Sequence, residues 1–146
     1  MDAAARRKEL GLDASPLAGR TRFLPEADRS VIAGIGRGIL FIMAFWSGTA
    51  RLAFAELKRV LGRYDPGGQL EVVVVDTDGC PDLYEHPAFV DRMHGAGEAA
   101  WIVGGEVVCT SGLGFNPKCF EPFTRHLLAE QMPAEPPAAP DGDERS

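Results

Sequence analysis

The apolar residues of this chain concentrate in two continuous runs that an amphipathic stretch separates. The first run, Ile39–Trp46, has no polar position, and the second, Leu70–Val75, is rich in valine. Runs of this length without alternation are typical of strands that are buried on both faces of a sheet. Between them, the apolar residues of Ala50–Tyr64, Leu52 among them, recur at helical spacing, and Asp65–Gly68 ends that helix. The central pattern is therefore strand, helix, strand.

The second half of the chain adds a hairpin and two helices to this pattern. Ala99–Val103 and Glu106–Thr110 are apolar runs on either side of a Gly-Gly pair, which predicts a β-hairpin. A short helix is expected over Asp82–Met93, with an interruption at Pro87. An amphipathic helix is expected over Pro117–Ala129. The predicted order of the central region is βαβαββα.

Composition divides the chain into three parts. Residues 1–36 are mixed, with a predicted strand at Thr21–Leu24 and a helix start at Pro25–Asp28, and we interpret them as an N-terminal extension with a short helix. Residues 37–130 form the predicted domain. Residues 131–146 are rich in proline, alanine and acidic residues, a composition that predicts a disordered tail.

Length and charge narrow the classes of function. The chain has 146 residues and a formal net charge of −6, which suits one domain and argues against a nucleic-acid-binding protein. No apolar run approaches the roughly 18 residues that a membrane span needs. The first eight residues lack the apolar centre of a signal peptide. We therefore expect a cytoplasmic protein that binds neither nucleic acid nor membrane.

Four segments, in this order, resemble the thioredoxin-like superfamily. Trp46–Arg51, between the first buried strand and its helix, resembles the W-C-G-x-C-[KR] motif, and Val74–Asp78 resembles the V-D-V-D that ends the next strand. Gly105–Val107 is similar to the family's hairpin, and Gly112 to the glycine that follows it. The resemblance implies an α/β fold over about residues 37–128: a three-layer α/β/α sandwich with a mixed central sheet and an N-terminal extension.

The chain departs from this family at the positions that carry the family's chemistry. The degenerate motif comprises Trp46, Ser47, Gly48, Thr49 and Ala50, so that serine and alanine stand where the family has cysteines. The stretch Gly95–Ala99 has no proline where the family has a cis-proline. Dithiol exchange needs one thiolate to attack and a second thiol to resolve the mixed disulfide. The resemblance therefore implies a redox-inactive, cofactor-free binding scaffold or chaperone-like accessory factor rather than an enzyme.

The three cysteines, Cys80, Cys109 and Cys119, support a competing hypothesis. None lies in a C-x-x-C pair, which excludes a disulfide-dense scaffold and a zinc ribbon. Cys80 follows a strand end near a predicted helix start, where a helix dipole lowers a thiol pKa. The alternative function is thus an atypical thiol oxidoreductase that uses Cys80 or Cys119. The simpler interpretation is three unreactive thiols in a reducing cytoplasm, without a Cys109–Cys119 disulfide. No metal site is expected, because the spacing of Cys80, His86 and His94 matches no standard ligand pattern.

The two tryptophans are the most informative candidates for binding. The resemblance implies that Trp46 lies at the corner of the former active site and that Trp101 lies near the former substrate groove. With the small residues beside them they predict a peptide-docking groove that is formed by Trp46, Gly97, Glu98 and Trp101. The alternative is that both tryptophans pack in the core. The expected partner is a protein or peptide, or a second copy of the chain that pairs through an exposed edge strand.

Overall fold

A computed structural model describes residues 3–89, 96–111 and 116–130. In these ranges the strands are β1 (Thr21–Leu24), β2 (Arg37–Met43), β3 (Glu71–Asp76), β4 (Glu98–Val103) and β5 (Glu106–Thr110). The α-helices are α1 (Ala3–Leu10), α2 (Ser30–Ala33), α3 (Gly48–Tyr64) and α4 (Phe120–Glu130). Short 3-10 helices cover Thr77–Gly79, Pro81–Glu85 and Pro117–Cys119.

The strands form one mixed sheet in the order β1-β3-β2-β4-β5. β1 and β2 each run parallel to β3, and Phe23 and Phe41 are both in register with Val74. β4 runs antiparallel to β2, and β5 runs antiparallel to β4 with Cys109 opposite Trp101. The three parallel strands end at the same edge of the sheet, which brings the turns after β2 and β3 to one end of the molecule. The predicted mixed central sheet is confirmed.

Helices cover both faces of the sheet and so produce three layers. On one face, α1, α3 and α4 pack on side chains such as Phe41 of β2, and Leu57 of α3 is fully buried there. On the other face, α2 and the 3-10 helix Pro81–Glu85 cover Leu40, which Ile32 helps to bury. Successive residues of β2 therefore point to opposite layers, as the two-residue period of a strand requires.

The central elements lie close to their predicted bounds. β2 ends at Met43 rather than at Trp46, because the chain turns there: the Ser47 backbone N–H donates to the Ala44 carbonyl at 3.0 Å. α3 and β3 match the predicted helix and second strand. The β4–β5 hairpin turns at Gly104 and Gly105, whose φ angles of +61° and +79° suit glycine.

Residues 3–36, the described part of the predicted N-terminal extension, pack on the predicted domain and contribute a strand to its sheet. β1 is an edge strand of the sheet, and the preceding Leu12 and Leu17 are fully buried in the core that α3 lines. Arg20 pairs with Asp65 at 2.5 Å, and both side chains are at least 95% buried. The predicted strand Thr21–Leu24 is confirmed, whereas α1 has no counterpart in the prediction.

Two predicted helices differ from those observed. The expected helix Asp82–Met93 is a 3-10 helix that ends at Glu85, because His86 precedes a proline and is extended; residues 90–93 lie outside the described residues. The helix expected from Pro25 begins only at Ser30. The last amphipathic helix is confirmed as α4 after its 3-10 turn.

The predicted tail, residues 131–146, lies outside the described ranges. Among the residues that the structure describes, no helix is both long enough and apolar enough to cross a membrane.

Candidate functional site

The turn between β2 and α3 places positions 47 and 50 at the start of a helix. Ser47 is the extended N-cap residue, and its Oγ accepts a hydrogen bond from the Ala50 backbone N–H at 3.2 Å. Serine is a favoured N-cap residue because its oxygen satisfies a backbone donor that the helix leaves open. The Ala50 side chain is fully buried. The one hydroxyl of this pair therefore serves to cap the helix.

Two large apolar side chains are exposed at this turn and just after it. Trp46 is 66% exposed and Leu52 is 64% exposed. Leu52 lies one turn into α3, on the same side as the exposed Gly48 and Thr49, because residues three and four apart share a helix face. We call Trp46, Gly48, Thr49 and Leu52 the Trp46 surface. Large apolar side chains that are exposed close together in the sequence are candidates for an interaction site.

Leu52 is the site residue that the sequence pattern misassigned. It was expected on the buried face of α3, whereas Ala53, Leu57 and Val60 form that face and Leu52 is exposed. At about 100° per residue, Leu52 lies roughly 140° around the helix from Leu57. The angle to the centre of the buried face is the signal that identifies it as an outward-facing residue.

Phe45, directly before Trp46, is held by charged side chains from two helices. The Arg6 guanidinium of α1 lies 3.8 Å from the centroid of the Phe45 ring. Arg51 of α3 donates to the Phe45 carbonyl at 2.8 Å and also pairs with Glu9 of α1. The hydrogen bond that Arg51 donates to the Glu9 carboxylate holds the pKa of Glu9 below its usual value. The backbone that presents Trp46 is thus tied to both α1 and α3.

Gly97 stands near the position where the family's proline was expected, and it packs closely against the start of α3. Its φ is +85°, a conformation that side chains other than glycine rarely adopt. A Cβ placed on it would lie 2.8 Å from the Ala53 Cβ, 3.0 Å from the Phe41 Cζ and 3.1 Å from the Ala50 Cα. The chain therefore closes over position 50 at this point. Gly95 of the same predicted stretch lies outside the described residues.

The predicted groove of Trp46, Gly97, Glu98 and Trp101 is not formed as expected. Trp101 is fully buried, its Nε1 donates to the Thr124 Oγ1 at 3.0 Å, and its ring packs on α4, so it is a core residue. Glu98 is 2% exposed, and its Oε2 accepts a hydrogen bond from the Ala96 backbone N–H at 3.1 Å. Of the two tryptophans, only Trp46 is available to a partner.

The candidate thiols lie in surroundings that oppose ionisation. Burial, together with the negative charges of Asp76 and Asp78, raises the pKa of Cys80 to about 12. The expectation of a lowered Cys80 pKa is therefore wrong: desolvation outweighs any helix dipole, and the flanking helices are short 3-10 helices of three and five residues. Burial also raises the pKa of Cys119 to about 11 and raises the pKa of Cys109 above its usual value.

The structure offers no metal centre within the described ranges. No group of three or more His, Cys, Asp or Glu residues there is arranged to hold a metal ion. Cys80 and His86 lie within those ranges, whereas His94, which completes the spacing considered from the sequence, lies outside them.

Comparisons with known proteins identify the fold. No protein-family model matches the chain, and no curated protein matches it in sequence. Mitochondrial thioredoxin 3 from Saccharomyces cerevisiae matches in structure with 18% identity and a TM-score of 0.54, over 73% of this chain and 94% of that one. Desulfothioredoxin from Desulfovibrio vulgaris Hildenborough matches with 17% identity and a TM-score of 0.54, over 77% of this chain and 97% of that one. The thioredoxin pre-protein of Schistosoma mansoni matches with 17% identity and a TM-score of 0.55, over 75% of this chain and 99% of that one.

These matches show that the chain has a thioredoxin-like fold, and the predicted fold class is confirmed. Identities this low carry the architecture and not the activity. The function must therefore be argued from the residues at the turn between β2 and α3 and from the surface around it.

Proposed function

We propose that this chain is a redox-inactive thioredoxin-like protein that binds a protein or peptide partner through the Trp46 surface, as a scaffold or chaperone-like factor. The observation that carries the proposal is the 66% exposure of Trp46 beside the 64% exposure of Leu52. Tryptophan is one of the residue types that are enriched among binding hot spots, and an exposed tryptophan loses the large apolar burial that a partner would give it.

The residues at positions 47 and 50 support the redox-inactive part of the proposal. A serine hydroxyl cannot replace the thiolate that attacks a disulfide, and the alanine methyl has no group that resolves a mixed disulfide. Ser47 already uses its oxygen to cap α3, and Ala50 is buried against Gly97. Both side chains have structural roles that fit a turn kept for its shape.

The anchoring of Phe45 supports the binding part. Arg51 and Arg6 hold the residue that precedes Trp46, so the indole extends from a backbone with little freedom. A pre-organised anchor loses less conformational entropy on binding than a mobile one. The Trp46 surface therefore has the two properties of an interaction hot spot, exposed apolar area and a rigid base.

The test is partner capture followed by affinity measurement with the purified partner. We expect Trp46→Ala and Leu52→Ala each to weaken binding by at least about tenfold, the cost of a hot-spot truncation. Val108→Ala is the matched control, since Val108 is 48% exposed on β5. Acrylamide quenching of tryptophan fluorescence should fall when the partner binds. The partner would cover Trp46, and Trp101 is already buried in the free chain. Equal affinity for all three variants would refute the role of this surface.

The competing thiol-oxidoreductase hypothesis is tested separately with an insulin-reduction assay. We expect no turnover by the native chain, because the thiol pKa values of Cys80 and Cys119 are raised to about 12 and about 11. Turnover that Cys80→Ala or Cys119→Ser abolishes would overturn the redox-inactive proposal and leave the binding measurement to be judged by itself.

A further inference from the structure

We propose that Cys109 and Cys119 are a modification site: under oxidising conditions they form an intramolecular disulfide that fastens the edge strand β5 to the start of α4. Both cysteines lie next to the packing around Trp101. Cys109 lies directly opposite Trp101 in the β4–β5 pair. The Trp101 ring is 5.4 Å from the ring of Phe120, the residue that follows Cys119. Both thiols pack against the same core cluster, on the α3 and α4 face of the sheet.

Hydrogen bonds hold the end of β5 beside the turn that carries Cys119. The Asn116 Nδ2 donates to the Ser111 carbonyl at 3.2 Å, and the Cys119 Sγ donates to the Asn116 carbonyl at 3.1 Å. Ser111 follows Cys109 by two residues, and Asn116 precedes Cys119 by three. Ser111 and Asn116, which lie between the two cysteines in the chain, are therefore hydrogen-bonded to each other. Burial is the main cause of the raised pKa of Cys119, and the charge of Cys109 adds to it, which fits two thiols within electrostatic reach of each other.

Cys80 is excluded from this pair by its place in the fold. It is fully buried on the opposite face of the sheet, with Leu83 and Phe89. Cys109 and Cys119 are both partly exposed and so are accessible to a small oxidant. The pairing is therefore specific, with one bridge and one remaining thiol.

A small-molecule disulfide of the oxidised-glutathione class supplies the oxidising equivalents. The thiolate of one cysteine attacks a sulfur of that disulfide, forms a mixed disulfide and releases one small thiolate. The second cysteine, after losing its proton, attacks the protein sulfur of the mixed disulfide and releases the other small thiolate. Two protein thiols are oxidised, two small thiols are produced, and the protein loses two hydrogen atoms. Because the raised thiol pKa values keep both cysteines mainly protonated, the reaction should be faster at pH 8.5 than at pH 7.

The experiment treats the full chain with oxidised glutathione, blocks the remaining thiols with a maleimide in denaturant, and measures the intact mass. We expect one maleimide per chain and the loss of two hydrogens. Trypsin places the three cysteines in different peptides, residues 64–92, 93–118 and 119–125, so the bridge is read directly as a cross-link between the last two. Reduction should remove this cross-link.

The variants make the result specific. Cys80→Ala should keep the bridge, whereas Cys109→Ser and Cys119→Ser should give only a glutathione adduct on the remaining surface thiol. The oxidised native chain should also melt at a higher temperature than the reduced chain, and the difference should vanish in Cys119→Ser. Three maleimides per chain, adducts on both surface cysteines without a bridge, or a bridge to Cys80 would each overturn the proposal. None of these outcomes bears on the Trp46 surface, so the proposed function is judged independently.

Discussion

Gly97 sets the limit on what can stand beside the β2–α3 turn, because its backbone has a φ of +85° and Ala53 and Ala50 leave no room for a side chain. We expect Gly97→Ala to lower the free energy of unfolding by about 2–4 kcal/mol, from backbone strain and overpacking together. The control is Gly36→Ala, where a Cβ would meet nothing within 4 Å and φ is not positive. Urea denaturation measures both. Equal losses in the two variants would contradict the tight packing at Gly97.

Cys80 provides the residue-scale prediction on pH. Its pKa of about 12 in the folded chain exceeds the 9.0 of an ordinary thiol, so the folded state holds a proton that the unfolded state releases first. The stability this contributes is complete below about pH 9 and is lost as the pH rises toward 12. The loss reaches at most about 1.4 kcal/mol per pH unit.

The measurement compares the native chain with Cys80→Ala at pH 8 and pH 10.5. Other groups also titrate in this range, so the difference between the two chains isolates Cys80. We expect the native chain to lose more stability than the variant. Parallel losses would mean that Cys80 is not protected from ionisation in the folded state.

The two tryptophans show which part of the candidate site can be predicted from a sequence. Trp46 and Trp101 both lie at apolar stretches, and the same residue type permits a surface or a core position. Trp101 is buried because Thr124 and Phe123, from a helix much later in the chain, pack on it. Trp46 is exposed because the chain turns after Met43. Only long-range packing separates these outcomes, so half of the predicted groove was wrong.

At the scale of elements, the ion pair of Arg20 and Asp65 joins the end of α3 to the start of β1. Asp65 also accepts hydrogen bonds from the backbone N–H groups of Gln69 and Leu70, both at 2.9 Å, which guides the chain into β3. We expect Asp65→Ala to cost about 3–5 kcal/mol, because it leaves a buried arginine without its partner.

Arg22→Ala is the matched control for Asp65→Ala. Arg22 of β1 pairs with Glu71 of β3, but its side chain is 52% exposed. An exposed pair is worth about 0–1 kcal/mol. Thermal or urea unfolding should therefore separate the two variants by at least 2 kcal/mol on the same principles. A similar loss in both would argue that the buried pair adds nothing beyond a surface one.

Elements with a local signal were predictable, and those that depend on distant contacts were not. β2 and β3 follow from apolar runs, and the β4–β5 hairpin follows from its Gly-Gly turn. The role of residues 3–36 could not be predicted locally, because β1 gains its place by pairing with β3 and Leu12 by packing near α3. The short helix expected over Asp82–Met93 is a 3-10 helix that ends at Glu85, two residues before Pro87.

At the scale of the whole molecule, the sheet and α3 keep the arrangement in which a dithiol motif would function. The Ser47 side chain already turns toward position 50, where its Oγ lies 3.2 Å from the Ala50 nitrogen. A thiol at position 47 would sit at the N-terminus of a 17-residue helix, where the helix dipole lowers its pKa. We therefore expect the chemistry that is proposed as lost to depend on these two side chains and not on the fold.

The double variant Ser47→Cys with Ala50→Cys tests this directly. We expect the two introduced thiols to form a disulfide with a small-molecule oxidant and to be reduced again by dithiothreitol, as peptide mapping would show. Ser47→Cys alone should react faster with maleimide at pH 7 than Cys80 does, because one thiol is partly exposed and the other is fully buried. If the double variant folds but forms no bridge, Gly97 and the closed turn have removed the geometry as well as the sulfur, and the divergence from dithiol chemistry extends to the backbone.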